Sequence, residues 1–302
     1  VQFFLEDDGQ QARLQREQVL APEQQARWQP VVRKSLNFGV IDQVVWLRFD
    51  VQSAAPEPRR WLISIPWLML NDIEFSQLHA DGRWSELYRS GYDVHYSQRF
   101  GQHRQYLLPV DLQPGERSTL LVRLDVKYIT FAPILFWSQE QFSAHDQFDT
   151  MFYGLAYGVL LAMLLYNLML YVFVRDSSYF FYTLYVLSII FYELAVTGFG
   201  ERYLWGDIER AAALAYPTFA PVSFVMAALF LRNFLSLKRY GGWVLHTNTA
   251  FVLYWMLALL VMAATGPETL KKINEPMAVL SCIAALTTTI HQLNPLLRGW
   301  MS

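Results

Sequence analysis

Two groups of acidic residues and histidines in this sequence have side chains of the kinds that bind metal ions. The run Glu6-Asp7-Asp8 lies near the amino terminus, and His145, Asp146 and Asp149 form an H-D-x-x-D pattern. Adjacent residues in an extended chain point apart, so the acidic run is better explained as a solvated segment. The second pattern is better explained as a polar juncture between two parts of the chain. We therefore predict no metal site and no cofactor.

Motifs of covalent catalysis and phosphate binding are missing from the sequence. There is no glycine-rich phosphate loop, no H-E-x-x-H, no G-x-S-x-G and no C-x-x-C. We therefore predict that this chain is not itself an enzyme.

Aromatic residues next to polar ones offer a different chemistry, because sugars have apolar C–H faces and many hydroxyl groups. A binding pocket generally combines apolar walls with a few placed polar groups. Trp46 and Arg48 lie two residues apart, and the stretch 92–105 is rich in aromatic and polar side chains. The candidate ligand-binding residues are Trp46, Arg48, Tyr92, Asp93, His95, Tyr96 and Arg99. The alternative is that these aromatic side chains pack in the core of a sandwich.

The elements that must position these residues are short strands. In residues 44–52, VVWLRFDVQ, apolar and other side chains alternate with a period of two, and the pattern recurs in 118–126. Further strands are expected at 2–6, 60–65, 70–79, 84–89, 103–110 and 130–137, and a short helix within 1–36. Asp81-Gly82 and Pro114-Gly115 predict tight turns. So many short strands predict a β-sandwich.

The second half of the chain is apolar. Charged residues make up 17% of the whole sequence, against about 25% in ordinary soluble proteins. Apolar runs long enough to span a bilayer occupy about 151–174, 179–200, 211–231, 247–266 and 276–293. We expect an extracytoplasmic domain at 1–140, a linker at 141–150 and a transmembrane helical domain at 151–302.

Polar residues and prolines within the apolar runs are candidate functional positions, because polar groups are costly in lipid. The candidates are Asn167, Glu193, Pro217 and Pro221. Asn167 is expected to hydrogen-bond a neighbouring helix, and Glu193 either to respond to protons or to pair near the interface. The two prolines should kink the third span. Gly154, Gly158 and Ala162 form a stripe of small residues for close helix packing.

The distribution of positive charge orients the first span. No Lys or Arg occurs between Lys127 and Arg175, so the first half is expected outside the cytoplasm and the C-terminus inside. The lone Cys282 excludes an intrachain disulfide. The first residues lack the pattern of a signal peptide, so if the first half is exported, we expect that its leader has been removed or was never part of this sequence. The sequence has no stripe of basic residues, so nucleic acid is not an expected binding partner.

Several stretches together resemble the bacterial seven-transmembrane receptors with diverse intracellular signalling modules. In the first half these are Asn37-Phe38-Gly39, Val45 to Phe49, Asp81-Gly82, Leu108-Pro109 and Pro114-Gly115. In the second half they are Gly154 to Tyr171, Arg175 to Tyr179, and Gly198 to Trp205. The first half resembles the type 2 extracellular domain of that family. The resemblance implies a jelly-roll domain similar to carbohydrate-binding modules, seven helices, and a cytoplasmic histidine kinase or diguanylate cyclase.

These observations predict a signalling receptor of the bacterial inner membrane. Its periplasmic domain would bind a small molecule, a glycan or another envelope component, and its helices would relay the bound state to a cytoplasmic output module. The chain reaches only about five spans, so that module is expected beyond Ser302. A homodimer is a further expectation. The alternatives are a transporter or channel with an extracellular cap, which needs paired intramembrane charges, and a membrane-anchored glycan-processing enzyme, which needs two carboxylates in one cleft.

Overall fold

The computed structural model describes residues 2–6, 14–31, 36–40, 44–125, 129–131, 133–208, 210–266 and 269–300. The strands are β1 (Gln2–Glu6), β2 (Gln29–Pro30), β3 (Asn37–Val40), β4 (Val44–Gln52), β5 (Arg59–Ile65), β6 (Asp72–Leu78), β7 (Tyr88–Ser90), β8 (Tyr106–Leu112), β9 (Arg117–Asp125), β10 (Ile129–Phe131) and β11 (Leu135–Ser138). The α-helices are α1 (Arg16–Val19), α2 (Gln139–Val174), α3 (Ser177–Thr197), α4 (Ala211–Phe234), α5 (Leu237–Tyr240), α6 (Gly242–Thr265) and α7 (Lys271–Trp300).

The strand-rich half contains two main antiparallel sheets. The larger has the order β2-β1-β4-β9-β6-β7, the smaller has the order β11-β5-β8, and β3 pairs separately with β10. In the centre of the larger sheet Leu47 is paired with Val122 on β9, and Val122 with Phe75 on β6. All three side chains are buried in the main core between the sheets. The predicted antiparallel β-domain is therefore confirmed, and the alternation in β4 and β9 marks its core face.

The opposite face of the larger sheet is also covered. Trp46 and Leu121 point away from the main core and pack with Val19 and Trp28 of the N-terminal segment. Indole Nε1 of Trp28 donates a hydrogen bond to the carbonyl oxygen of Val19 at 3.2 Å, which satisfies its polar atom inside this second cluster. The predicted short helix lies in this segment, as α1 and the 3₁₀ helix Pro22–Arg27.

Three predicted strands differ clearly from those observed. The single strand expected at 130–137 is two strands, β10, which pairs with β3, and β11, which pairs with β5 in the smaller sheet. The strand expected at 84–89 is reduced to β7, and Trp84 makes only one bridge with Leu78. The strand expected from residue 103 begins at Tyr106, because 3₁₀ turns occupy Tyr96–Gln98 and Phe100–Gln102 just before it. Neither β2 nor β3 was predicted as a strand.

Five helices in the described part of the chain are long and apolar enough to cross a membrane, at Gln139–Val174, Ser177–Thr197, Ala211–Phe234, Gly242–Thr265 and Ile273–Ile290. They coincide with the five predicted spans. The expected linker at 141–150 is helical and forms the beginning of α2.

The chain divides into two compact units. The first comprises Val1–Thr150 together with Val196–Ala213, and the second Met151–Ala195 together with Leu214–Ser302. The segment between α3 and α4 thus belongs to the strand-rich unit, although the domain division expected from the sequence places it with the helices.

Side chains at helix contacts hold the second unit together. Trp255 stacks on Phe224 with ring centroids 4.7 Å apart, and its Nε1 donates to Ser281 Oγ at 3.0 Å. Asn248 Nδ2 donates to the carbonyl oxygen of Ala228 at 3.1 Å. Such contacts join α4, α6 and α7, because packing and interhelical hydrogen bonds replace the hydrophobic effect in lipid.

Candidate functional site

One loop of the strand-rich unit contains two buried arginines, Arg99 and Arg104. This loop, residues 91–105, connects β7 to β8, and we call it the junction loop. It contacts two other parts of the same unit. One is the first turns of α2, residues 139–150, and the other is the segment 196–213, which joins α3 to α4 and which we call the outer segment.

Arg99 of the junction loop forms a buried ion pair with Glu201 of the outer segment. Its Nη1 donates to Glu201 Oε2 at 2.5 Å and its Nη2 donates to Oε1 at 3.1 Å. The two side chains are only 2% and 8% exposed. Nε of Arg99 donates to the carbonyl oxygen of Val94 at 3.0 Å, and the guanidinium lies 5.2 Å from the ring centre of Tyr106. The planar fork of arginine suits this two-pronged contact, which fixes orientation as well as distance.

The electrostatic surroundings keep the Arg99 guanidinium charged. Burial alone would lower the pKa of Arg99, but the hydrogen bonds to Glu201, together with the electrostatic influence of Tyr106, Glu201 and Tyr96, outweigh it and raise the pKa above its ordinary value. The Arg99 guanidinium therefore stays protonated at any physiological pH. Removing one partner would leave the other as an uncompensated buried charge.

Backbone hydrogen bonds hold the same two segments together. The Tyr96 N–H donates to the carbonyl oxygen of Gly206 at 3.2 Å, and the Ser97 N–H donates to Asp207 Oδ1 at 3.0 Å. The hydrogen bonds from Ser97 lower the pKa of Asp207, so that carboxylate stays ionised. The outer segment also contains a π-helical turn, Glu201–Trp205, and such turns are frequent at functional sites.

Gly198 lets the outer segment approach the junction loop closely. Its φ is +80°, and a Cβ there would lie 2.5 Å from the carbonyl oxygen of Arg104 and 2.7 Å from Leu68 Cδ1. Only glycine fits both the backbone conformation and the space.

A second set of ion pairs joins the junction loop to α2. Arg104 Nη2 lies 2.8 Å from Asp149 Oδ2 and 3.3 Å from Asp146 Oδ1, with the Arg104 side chain 4% exposed. His103 Nε2 lies 3.0 Å from the same Oδ1 of Asp146. The polar pattern His145, Asp146 and Asp149 therefore lies at a juncture, and within the described residues no group of acidic, cysteine and histidine side chains is arranged to hold a metal ion.

Aromatic side chains support these ion pairs. Phe142 of α2 is buried against Leu62 and Leu107 of the smaller sheet, and its ring meets His103 edge to face at 5.1 Å. The Trp137 ring stacks on His145 at 4.8 Å. The first turns of α2 are therefore packed on the sheet rather than projecting from it.

The predicted ligand-binding residues lie in two separate places. Trp46 and Arg48 are on β4, whereas the other five are in the junction loop after β7. Two strands separate β4 from β7 in the larger sheet, which corresponds to about 14 Å at the usual strand spacing. The structure therefore does not bring the two groups into one pocket.

The surroundings of these residues differ. Trp46 is 3% exposed beneath the N-terminal segment. Arg48 is partly exposed and pairs with Asp50 at 3.1 Å. In the junction loop, Asp93 and His95 are exposed and Tyr92 and Tyr96 are partly exposed. Arg99 has no exposed surface to offer, because Glu201 occupies its guanidinium.

The intramembrane candidates lie in the interiors of α2, α3 and α4. Asn167 Nδ2 donates to the carbonyl oxygen of Met163, one turn earlier in α2. Glu193 is partly buried in α3. α4 continues through both Pro217 and Pro221. All four positions belong to the second unit. None of them lies in the junction, by which we mean the junction loop together with the first turns of α2 and the outer segment.

Glu201, Arg104 and Asp207 were not predicted as functional candidates from the sequence. A signal was present, since Glu201 lies within the stretch Gly198 to Trp205 and is charged in a short connection between two apolar runs. Its partner is 102 positions away, and no pattern links the two.

Two family models match the chain. The model described as 7TM diverse intracellular signalling covers residues 149–298, and the model described as 7TMR-DISM extracellular 2 covers residues 2–138. A search of curated proteins found no match. The two matched regions correspond to the apolar helices and to the strand-rich domain. The chain belongs to the seven-transmembrane receptors with diverse intracellular signalling modules and carries their type 2 extracellular domain.

Proposed function

We propose that this protein is a sensor of the bacterial inner membrane whose periplasmic strand-rich domain binds a ligand and passes the bound state to a cytoplasmic output module. The family supplies the receptor-type architecture, with an extracellular domain and membrane-spanning helices. The ligand proposed is a small molecule, a glycan or another component of the cell envelope.

The buried pair of Arg99 and Glu201 is the single observation that carries the relay. It connects a loop of the strand-rich domain to the segment between α3 and α4. The second set, Arg104 with Asp146 and Asp149, connects the same loop to α2. A ligand that moves the junction loop therefore acts on the ends of three apolar helices at once. Allosteric coupling of this kind is typically about 1–3 kcal/mol, and it requires only that the ligand prefer one of two arrangements.

The orientation can be tested by cysteine labelling. Replacing Cys282 with serine removes the single cysteine, and new cysteines at Glu57 and Lys238 then probe the strand-rich domain and the connection before α6. In intact spheroplasts a membrane-impermeant maleimide should label E57C and should label K238C only after permeabilisation. The opposite pattern would refute the proposed orientation.

The relay can be tested with a chimaera. The chain is joined after α7 to a diguanylate cyclase module of known activity, and cyclase output is measured with and without an enzymatic digest of the host's envelope glycans. We expect the digest to change output in the wild-type chain and the change to be lost in Glu201→Gln. Asp111→Asn is a matched control, because Asp111 accepts the same kind of two-pronged contact from Arg60 at an exposed site, at 2.7 and 2.8 Å.

The ligand and the relay have separate outcomes in this experiment. Output that does not respond to the digest in any variant would argue against a glycan ligand. A response that survives in E201Q would show that the buried pair does not carry the signal.

A further inference from the structure

The imidazole of His103 lies inside the junction. The residue is 9% exposed, its ring meets Phe142 at 5.1 Å, and Nε2 lies 3.0 Å from Asp146 Oδ1. On the other side of the ring, Nδ1 accepts a hydrogen bond from the Gln105 N–H at 3.1 Å. His103 therefore lies next to Asp146 of α2 at one nitrogen and accepts a hydrogen bond from the Gln105 backbone of its own loop at the other.

This geometry fixes the protonation state. A histidine nitrogen that accepts a hydrogen bond carries no proton, so the ring is neutral with its proton on Nε2, facing Asp146. Adding a proton to Nδ1 would place two N–H donors against each other and would remove the bond from Gln105. The folded junction therefore has a structural reason to disfavour the imidazolium form.

The surrounding charges come from three parts of the unit. They are Asp146, Asp149 and His145 on α2, Arg99 and Arg104 on the junction loop, and Glu201 and Arg202 on the outer segment. Asp146 attracts a proton to His103, but it is already within 3.3 Å of the Arg104 guanidinium. Burial lowers the pKa of His103 below its ordinary value of 6.5, with smaller contributions from Arg104 and Arg202, although Asp146 acts in the opposite direction.

We propose that His103 is a proton-binding site through which an acidic periplasm loosens the contact between the junction loop and the first turns of α2. The protein would then sense acid in addition to its ligand. The signalling consequence rests on the proposed receptor function, whereas the loosening itself is a property of this junction alone.

The direction of the effect follows from linkage. A histidine whose pKa is lowered by folding stabilises the folded form fully above its unfolded pKa, and that contribution is lost as the pH falls through the folded pKa. The junction should therefore be tight at pH 7 and loosen only below pH 6.5, the ordinary value for histidine.

Hydrogen exchange of the full chain in lipid nanodiscs tests this proposal. Exchange is compared at pH values of about 7.5 and about 5.5, on either side of the ordinary histidine pKa, after correction for intrinsic rates. We expect residues 99–105 and 139–150 to lose protection in acid. His103→Gln should remove this response, because a glutamine amide can accept from Gln105 and donate toward Asp146 at any pH. His145→Gln is the control, since that histidine is 40% exposed and lies 3.6 Å from Asp149; it should keep the response.

Three results would overturn the proposal: no loss of protection in the wild-type chain, an equal loss in H103Q, or abolition of the loss by H145Q. If H103Q proves misfolded, seen as lost protection in β4 and β9 at neutral pH, the titration is measured directly. Nitrogen-15 spectra of a chain that keeps only His103 of the six histidines should then show a midpoint below 6.5, and a midpoint at or above 6.5 would overturn the proposal. If the cyclase output of the chimaera does not respond to the glycan digest, that result would count against the receptor function. It would not change the hydrogen-exchange result, so the two proposals can fail separately.

Discussion

Breaking the Arg99–Glu201 pair should open the junction far more than breaking an exposed pair of the same geometry. Arg99→Met removes the guanidinium, keeps most of the side-chain volume and leaves the Glu201 carboxylate buried without its partner. Breaking a buried pair from one side costs about 3–5 kcal/mol. At one factor of ten for each 1.4 kcal/mol, this corresponds to an increase of about 150- to 4,000-fold in the population of the opened junction.

Arg60 and Asp111 provide the matched comparison. Their contact is also two-pronged, at 2.7 and 2.8 Å, but both side chains are 52% exposed. Exposed pairs contribute about 0–1 kcal/mol, so Arg60→Met should raise local opening by no more than about fivefold.

The assay is hydrogen exchange of the full chain in nanodiscs at neutral pH, followed in residues 96–105 and 198–207. R99M and E201Q should each speed exchange in both segments, and the double variant should lose much less than the sum of the two, because it leaves no unpaired buried charge. If R99M and R60M speed exchange equally in their own surroundings, or if the two single effects simply add, the reasoning from burial is wrong.

Three other predictions concern separate features. Gly198→Ala should speed exchange in residues 198–207, because the added methyl would lie 2.5 Å from a backbone carbonyl oxygen, whereas Gly154→Ala has open space and should leave exchange there unchanged. Trp46→Ala should lower the free energy of unfolding of the strand-rich domain by about 3–5 kcal/mol, because it removes the Trp46 ring from the second cluster. The measurement is a denaturant titration followed by the β-sheet circular dichroism of this domain. Arg48→Ala should change the same free energy by less than about 1 kcal/mol, so Arg48 is the better position for testing glycan binding. Burial alone would raise the pKa of Glu116, but hydrogen bonds from the Gln113 backbone, His79 and Ser118 hold it below 4.5; this stabilisation is present above that pH and lost in acid, so Glu116→Gln should flatten acid unfolding below pH 4.5.

Local patterns predicted the elements well. Period-two alternation located β4 and β9, because burial of one face of a strand forces every second side chain to be apolar. Length and apolarity located the five helices, because a span must contain about 20 apolar residues.

The coverage of surfaces and the distant pairings could not be predicted in the same way. Alternation identified Trp46 as lying off the main core, but it does not show that the N-terminal segment covers it. Arg99 looked like a ligand-binding residue because it follows several aromatic residues, yet its charge is taken by Glu201 far along the chain. A single ion pair between residues 102 positions apart produces no repeating pattern in the sequence around either residue.

The first apolar helix is continuous with the turns that form ion pairs with the junction loop. α2 runs for 36 residues from Gln139, where it packs on the smaller sheet, to Val174, which makes it about 54 Å long at 1.5 Å per residue. Its first turns, which contain Asp146 and Asp149, belong to the first compact unit, and its apolar turns from Met151 onward belong to the second. The ion-paired residues and the first apolar span are therefore parts of one unbroken helix, and no loop separates the contacts of Arg104 from that span.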